Sequence, residues 1–400
     1  NKKEAIDGGL HMTQKLRIGI IGAGGIARGA HIPNYLKLKD RVDVVAVADV
    51  SKEAAEQCAK QFAIPEVYGS YEEMLERSKL DAVSVCTPNK YHADATIRAL
   101  EAGCHVLCEK PPAMTPGEAE QMARTAEKMN RLLTYGFHYR HTQQVQALKR
   151  FIDAGELGEI YTGRITAMRR RGIPGWGVFT NKELQGGGPL IDIGVHMLDT
   201  ALYLMGYPEP ETVFACTYQK LGSRPGVGLN GSWNWQNFSI EDMAVAMLRF
   251  RNGASLLLET AYAANVEQRD VMKVSLLGDA GGADVFPLKI YQEKYQTLID
   301  VTPVYLPEKS PREAIIEDFV SSCLEGRPAL CRPAEGTILQ RIVSAIYQSA
   351  EQNQAIRLSL GDEDDEPGTG LNGVSTQWSQ ASAPLIVAES CDLGMTQDEE

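Results

Sequence analysis

The sequence predicts an α/β protein in which a doubly wound parallel sheet is followed by a second α/β domain built on a largely antiparallel, open sheet. Three observations carry this expectation. Short apolar, β-branched runs alternate with helical stretches from Leu16 to Gly136, as βαβ units do. The first of those runs ends in glycines and turns directly into a helix. From Gln143 the pattern changes to longer, closely spaced alternating runs, which suit antiparallel strands with one solvated face.

The first strand and turn read Leu16-Arg17-Ile18-Gly19-Ile20-Ile21-Gly22-Ala23-Gly24-Gly25-Ile26-Ala27. A strand ending this way lets backbone approach a dinucleotide pyrophosphate and offers it helix N-terminal amides. Gly22 is expected to make the tight turn and Gly24, with Gly25 and Ile26 beside it, to leave the phosphates room. Ala27 replaces a third glycine and still permits close packing of helix on strand. The competing reading is an ordinary glycine-rich turn, and the flanking strand and helix argue against it.

A helix to about Leu36 leads into Val42-Asp43-Val44-Val45-Ala46-Val47-Ala48-Asp49, a nearly continuous apolar run of the kind found in buried parallel strands. Asp49 stands where such a fold places the acid that accepts hydrogen bonds from the adenosine ribose. A carboxylate there repels a 2′-phosphate, so NAD is expected rather than NADP. The alternative is a turn or capping role, with Ser51 competing as cap for the helix Lys52 to Phe62.

Next come a helix from Tyr71 to Arg77, a strand from Ala82 to Cys86 ending at Thr87-Pro88-Asn89, a helix from Ala93 to Ala102 and a strand from His105 to Cys108. The loop Glu109-Lys110-Pro111-Pro112 then precedes Thr115-Pro116-Gly117-Glu118, a capping box with proline at the first helical position. That helix runs to about Asn130, and Leu132 to Gly136 closes the sheet. Ligands of doubly wound sheets lie at the carboxyl ends of the strands, where Gly22, Asp49, Thr87 and Lys110 all fall.

In the second domain a helix from Gln143 to about Ala154 precedes strands at Ile160 to Met168, Val213 to Gln219, Met243 to Phe250, Ser255 to Ala261 and Val271 to Gly278. One helix near Leu190 to Leu204 interrupts them, and helices at Ile315 to Leu324 and Ile338 to Glu351 close the fold. The expected domains are 14–137 and 138–358, with an acidic, mobile tail over 361–400. Residues 1 to 13 are polar, with Gly8 to Met12 reading as an added leader, and stand outside the fold.

Composition narrows the function classes. With 44% hydrophobic and 23% charged residues in 400, the chain is ordinary for a soluble protein. Its net charge of -12 is concentrated beyond Arg357, where ten Asp and Glu meet no basic residue, leaving a body near -2. No basic block serves a nucleic acid, and no apolar run reaches membrane-spanning length. The eight cysteines show no CxxC pairing and read as reduced thiols of a cytoplasmic protein. Cys104, His105 and Cys108 lie on alternating sides of one strand without a second ligand pair, so no metal is expected.

The second informative stretch is Gly186-Gly187-Gly188-Pro189-Leu190-Ile191-Asp192-Ile193-Gly194-Val195-His196-Met197-Leu198-Asp199. On a helix from about Leu190, Asp192 and His196 share one face at i and i+4, and the glycines would let a substrate approach its start. The bland alternative is a first-turn acid favoured by the helix dipole and a buried, satisfied histidine.

Gly22-x-Gly24-x-x-Ala27, Thr87-Pro88-Asn89-x-x-His92, Glu109-Lys110-Pro111 and the Gly186 to Asp199 stretch, in that order, resemble the family of glucose-fructose oxidoreductase, inositol 2-dehydrogenase and their relatives, over about residues 14 to 358. The resemblance implies an N-terminal Rossmann domain carrying NAD(P), a C-terminal domain whose open sheet mediates homodimers or homotetramers, and dehydrogenation of sugars, polyols or their derivatives. It implies Lys110, Asp192 and His196 as the reactive group. His196 is the preferred base, because its ordinary pKa lies nearest working pH. Asp192 would orient the substrate hydroxyl and stabilise a protonated His196, and Lys110 would stabilise developing negative charge; Lys110 as base is the alternative. Thr87, Pro88, Asn89 and His92 are expected along the nicotinamide wall, with Glu109 at the cofactor ribose.

Gly136-Phe137-His138-Tyr139-Arg140-His141 departs from the family's commoner Asn-Arg-Arg form. Arg140 still matches, and it and Trp176 are the candidate substrate contacts, Trp176 by stacking on a sugar face. Rival readings are an NAD-dependent glycosidase of the same family and a dinucleotide-sensing regulator without catalysis.

Overall fold

The strands β1 (Leu16–Ile21), β2 (Val42–Ala48), β3 (Glu66–Tyr68), β4 (Ala82–Val85), β5 (His105–Cys108) and β6 (Leu133–Tyr135) form one sheet in the order β3-β2-β1-β4-β5-β6. Every neighbouring pair is parallel. This is the order of a doubly wound dinucleotide-binding sheet, whose crevice opens where the order reverses, between β1 and β4. The unbroken apolar composition has its reason here: Ile18, Ile20, Val47, Val83 and Val106 are wholly buried between helix layers. The computed structural model describes residues 15–358; the expected leader and acidic tail lie outside the described residues.

Local signals fix the helix ends. Ser51 caps the helix Lys52–Phe62 by accepting from the Ala54 amide, which leaves Asp49 free of that task. Thr115 and Glu118 form the reciprocal capping box of Pro116–Met129, and Asn130 ends that helix in the left-handed conformation.

The second sheet has nine strands, introduced by the helix Gln143–Asp153. They are β7 (Ile160–Arg169), β8 (Pro210–Tyr218), β9 (Met243–Phe250), β10 (Ser255–Ala261), β11 (Asp270–Gly278), β12 (Gly281–Val285), β13 (Lys289–Lys294), β14 (Thr297–Val301) and β15 (Ile356–Arg357). Their order is β14-β13-β12-β11-β7-β10-β9-β8-β15. All neighbours are antiparallel except β7 and β10. Alternation sets the faces. Along β9, Ala244, Ala246, Leu248 and Phe250 turn inward, whereas Met247 is 53% exposed and stands in register with Leu257 on one side and Phe214 on the other. The outer face of this sheet therefore carries a run of exposed apolar side chains.

The closing helices return to the first sheet. Ile316, Phe319 and Val320 of the helix Pro311–Glu325 join the cluster of Ile18, Ile20, Ile32 and Tyr35. Leu339, Ile342 and Ile346 of the helix Pro333–Gln352 pack into the main core. Among the described residues no helix is long and apolar enough to cross a membrane.

Candidate active site

The carboxyl ends of β1, β4 and β5 face the helix that carries Asp192, and between them lies a cavity of about 410 Å³, within the range of small-molecule sites. Its first wall is Ile26, Thr87, Pro88, Asn89, His92, Glu109 and Lys110. The turn behind Ile26 is shaped for close approach. Gly22 has a φ of +95°, and a Cβ there would meet the Cys86 carbonyl oxygen at 2.7 Å, so only glycine fits. Gly24 and Gly25 face open space, with no neighbouring atom within 4 Å of a Cβ position, while Ala27 is fully buried against the sheet. Asp49 accepts from the Ala23 amide at 2.8 Å and from the Ser51 amide at 2.8 Å. It thereby ties the glycine turn to the end of β2.

Loop geometry positions the rest of this wall. His92 is buried, with Nδ1 at 2.8 Å from the Pro111 carbonyl and Nε2 at 3.0 Å from the Thr87 carbonyl, so it links the two loops. Asn89 donates to the Gln185 carbonyl at 2.9 Å, joining the short helix Lys182–Gln185 to the first sheet. Thr87 Oγ1 is a buried polar atom with no partner in the protein. Such an atom costs stability unless something meets it. An open glycine cradle and an acid at the end of β2, beside a cavity wall at the carboxyl ends of the strands, together fit a dinucleotide.

Across the cavity, Lys110 Nζ reaches Asp192 on the opposite wall, 2.8 Å from its Oδ1 and 3.1 Å from its carbonyl oxygen, and Tyr262 donates its hydroxyl to Asp192 Oδ2 at 2.7 Å. Burial alone would raise the Asp192 pKa; the Lys110 charge and these hydrogen bonds outweigh it and hold the acid below its ordinary value. His196 shares the cavity, and its Nδ1 is buried without a partner. Burial first, then the nearby His138, Lys110, Arg312 and Arg169, push its pKa well below the usual histidine value. The imidazole is therefore held neutral.

The expected i, i+4 relation between Asp192 and His196 is altered by a π-helical turn over Leu190–Gly194, in which the Val195 amide bonds the Leu190 carbonyl. The extra residue per turn offsets the two side chains. Both Asp192 oxygens then go to Lys110 and Tyr262 rather than to His196.

Gly187 lines the cavity, and the glycines before this turn also make room for protein groups behind it. A Cβ at Gly187 would strike the Tyr347 hydroxyl, and one at Gly188 the Glu241 backbone. Glu241 is buried and accepts from the Gly188 amide at 2.9 Å and the Leu190 amide at 3.2 Å, and Tyr347 donates to it at 2.9 Å. A carboxylate thus caps the turn that carries Asp192, and the glycines let it come close.

Neither candidate substrate contact lines the cavity. Arg140 is fully buried outside the cavity, with Nε and Nη2 on Asp199 at 2.8 and 2.6 Å, and Nη1 on the Leu330 carbonyl and Glu335. Its donors are consumed within the protein, because it bolts the segment after β6 to two helices. Trp176 is 56% exposed and packs edge-on against Phe179, and it is Phe179 that lines the cavity. His138 and Tyr139 reach the cavity and stack about His196 with centroids 4.8 and 5.2 Å away. Asp270, Met272 and Arg312 complete the far wall. Among the described residues no group of three His, Cys, Asp or Glu side chains is placed to hold a metal ion.

Residues 16–137 match the oxidoreductase family described as an NAD-binding Rossmann fold, and residues 145–284 match the GFO/IDH/MocA C-terminal domain. D-glucoside 3-dehydrogenase of Escherichia coli (strain K12) is 43% identical over 86% of this chain and 98% of its own length. Myo-inositol 2-dehydrogenase of Thermotoga maritima is 24% identical over 86% of this chain and 98% of its own. A solved levoglucosan dehydrogenase in complex with NADH and levoglucosan superposes with a TM-score of 0.75 at 25% identity, covering 86% of this chain and all of that one.

Proposed function

The chain belongs to the oxidoreductase family with an NAD-binding Rossmann fold, and from that premise we propose that it is an NAD-dependent dehydrogenase that oxidises the C3 hydroxyl of a D-glucoside. The observation that carries the proposal is the convergence of Lys110, Asp192 and His196 on one cavity at the carboxyl ends of the parallel strands. The 43% identity with D-glucoside 3-dehydrogenase over nearly that protein's whole length supports the choice of ring and position.

When bound, NAD supplies the hydride acceptor. Amides of the Gly22 to Ala27 turn hold its pyrophosphate, Asp49 the adenosine ribose, and the Thr87 to Asn89 loop with Glu109 the nicotinamide end. As a C–H hydride leaves a secondary alcohol, the hydroxyl proton must leave too. His196, which lines the cavity, takes that proton. Lys110 donates to the same hydroxyl oxygen and stabilises the charge that develops on it. Asp192 keeps the ammonium aimed, and Tyr262 keeps Asp192 in place. In the reducing direction the same groups work in reverse.

Incubation with methyl glucosides, levoglucosan, myo-inositol and glucose 6-phosphate, followed by NADH absorbance and NMR of the product, tests the proposal. A 3-keto glucoside formed with one NADH per turnover is the expected result. Faster oxidation of inositol, or sugar cleavage without NADH release, would defeat it.

The functional unit is proposed to be a homodimer or homotetramer built through the exposed sheet face around Phe214, Met247 and Leu257, since an apolar patch of this kind suits association. Met247→Lys is expected to shift the species seen by light scattering to smaller mass. A cytoplasmic location is supported by the NAD chemistry and by the free thiols of Cys58, Cys86, Cys104, Cys108, Cys216, Cys323 and Cys331.

A further inference from the structure

His31 belongs to no motif discussed so far, yet it lies at the centre of a buried polar chain. It sits on the π-helical turn Ala27–His31, one turn beyond the glycine cradle, and is 4% exposed. Its Nε2 lies 2.9 Å from Glu109 Oε1 and its Nδ1 lies 3.0 Å from Ser84 Oγ. Ser84 is wholly buried in the central strand β4, and its Oγ lies 2.8 Å from the hydroxyl of the equally buried Tyr35.

The chain can run in one sense: Tyr35 donates to Ser84, Ser84 to His31 Nδ1, and His31 Nε2–H to Glu109, which satisfies every group once. The other Glu109 oxygen accepts from the Lys110 amide at 3.2 Å. Burial would raise the Glu109 pKa, but its hydrogen-bonded neighbour His31, then Lys110 and His138, bring it down to about 2. Glu109 is thus an ionised carboxylate on the cavity wall. The Lys110 ammonium does not neutralise it directly, because that group is turned to Asp192.

Resting on the NAD site proposed above, we propose that His31 is a positioning residue which, through Ser84 and Tyr35, fixes the Glu109 carboxylate at the nicotinamide end and so biases the protein toward NAD+ over NADH. The two cofactor forms differ there by one positive charge on the ring. A fixed carboxylate in a water-poor wall attracts that charge far more than it would in water. The orientation of the carboxylate matters as much as its presence, which gives the hydrogen-bond chain behind it a role.

Kd values for NAD+ and NADH, measured separately by calorimetry on the full chain without sugar, test this independently of any substrate assignment. Glu109→Gln, close to isosteric, is expected to raise the Kd for NAD+ relative to that for NADH by about tenfold, the effect of some 1.4 kcal/mol. His31→Gln is expected to move the ratio the same way by a few-fold, and Tyr35→Phe by less, with melting temperatures reporting whether each variant is folded. A Glu109→Gln variant that changes both Kd values by the same factor would overturn the proposal. So would a folded His31→Gln variant with the wild-type ratio.

Discussion

Lys110, in the loop after β5, and Asp192, on the turn Leu190–Gly194, are 82 positions apart in sequence, yet their side chains meet at 2.8 Å with each about one-sixth exposed. Neither charge is tolerable there without the other. Lys110→Ala is expected to leave Asp192 unpaired, lower kcat by about 10²- to 10⁴-fold and destabilise the fold by about 1–3 kcal/mol. Asp192→Asn removes the charge and keeps the shape, so it is expected to reduce kcat with a smaller loss of melting temperature. Equal turnover in both variants and the wild type, measured as NADH formation, would remove this pair from the mechanism.

The low His196 pKa predicts the acid side of the rate profile. A base that is already neutral at pH 6.5 leaves kcat/KM for oxidation level as pH falls to that value, with the acid limb below it. An acid limb centred above pH 7 that survives His196→Asn would give the role of base to another group.

Stability is expected to follow the same imidazoles. His196, His138 and His141 all have pKa values depressed chiefly by burial, the latter two to about 4. The unfolded chain takes up their protons near pH 6.5 while the folded chain refuses them. Their stabilising contribution is therefore complete above pH 6.5 and is lost as pH falls from there toward 4, by at most about 1.4 kcal/mol per pH unit for each. Glu109 adds a second loss lower down, between its unfolded value of 4.5 and about 2. Melting temperature recorded from pH 8 to 3 should show the first decline starting near 6.5, and His141→Asn, outside the cavity, should make it shallower.

For the cofactor, Asp49→Ser is expected to weaken NAD and admit NADP, changing their ratio of kcat/KM by about tenfold or more, since a carboxylate both binds the ribose and repels a 2′-phosphate. The variant also loses the bond to the Ala23 amide, so NAD binding should fall even where NADP improves. Unchanged NAD affinity would mean that Asp49 serves the turn alone.

Much of this was legible in the sequence because local chemistry fixed it. The capping box at Thr115, the β-branched run of β2 and the glycines after β1 each specify structure within a few residues, and those elements lie where their patterns put them. The strand β3 has only three residues, and β12 to β14 contain glycines and charges that mask alternation. Pairing with neighbours, not propensity, makes them strands. At the cavity, the motif residues Lys110 and His196 carried a signal, whereas Tyr262, Glu241, Tyr347 and His31 carried none. Each of these is defined by a partner between 53 and 106 positions away. The π-helical turn at Leu190 follows from such a partner too, because Glu241 takes the amides at its start.

Arg140 gives the last prediction, because its sequence position and its surroundings point to different outcomes. As a substrate contact it would raise KM when removed and leave stability nearly intact. In the fold its guanidinium is wholly enclosed, paired with Asp199 and Glu335 and lying 2.6 Å from the Tyr207 hydroxyl, which itself donates to Asp199 at 2.6 Å. Burial raises the Asp199 pKa even against the Arg140 charge, so without that charge the acid would be forced toward its protonated form. Arg140→Met is therefore expected to cost about 3–5 kcal/mol, visible as a large fall in the denaturant midpoint. The molecules that remain folded should keep the wild-type KM for sugar. A variant of normal stability with a tenfold higher KM would return Arg140 to the substrate site.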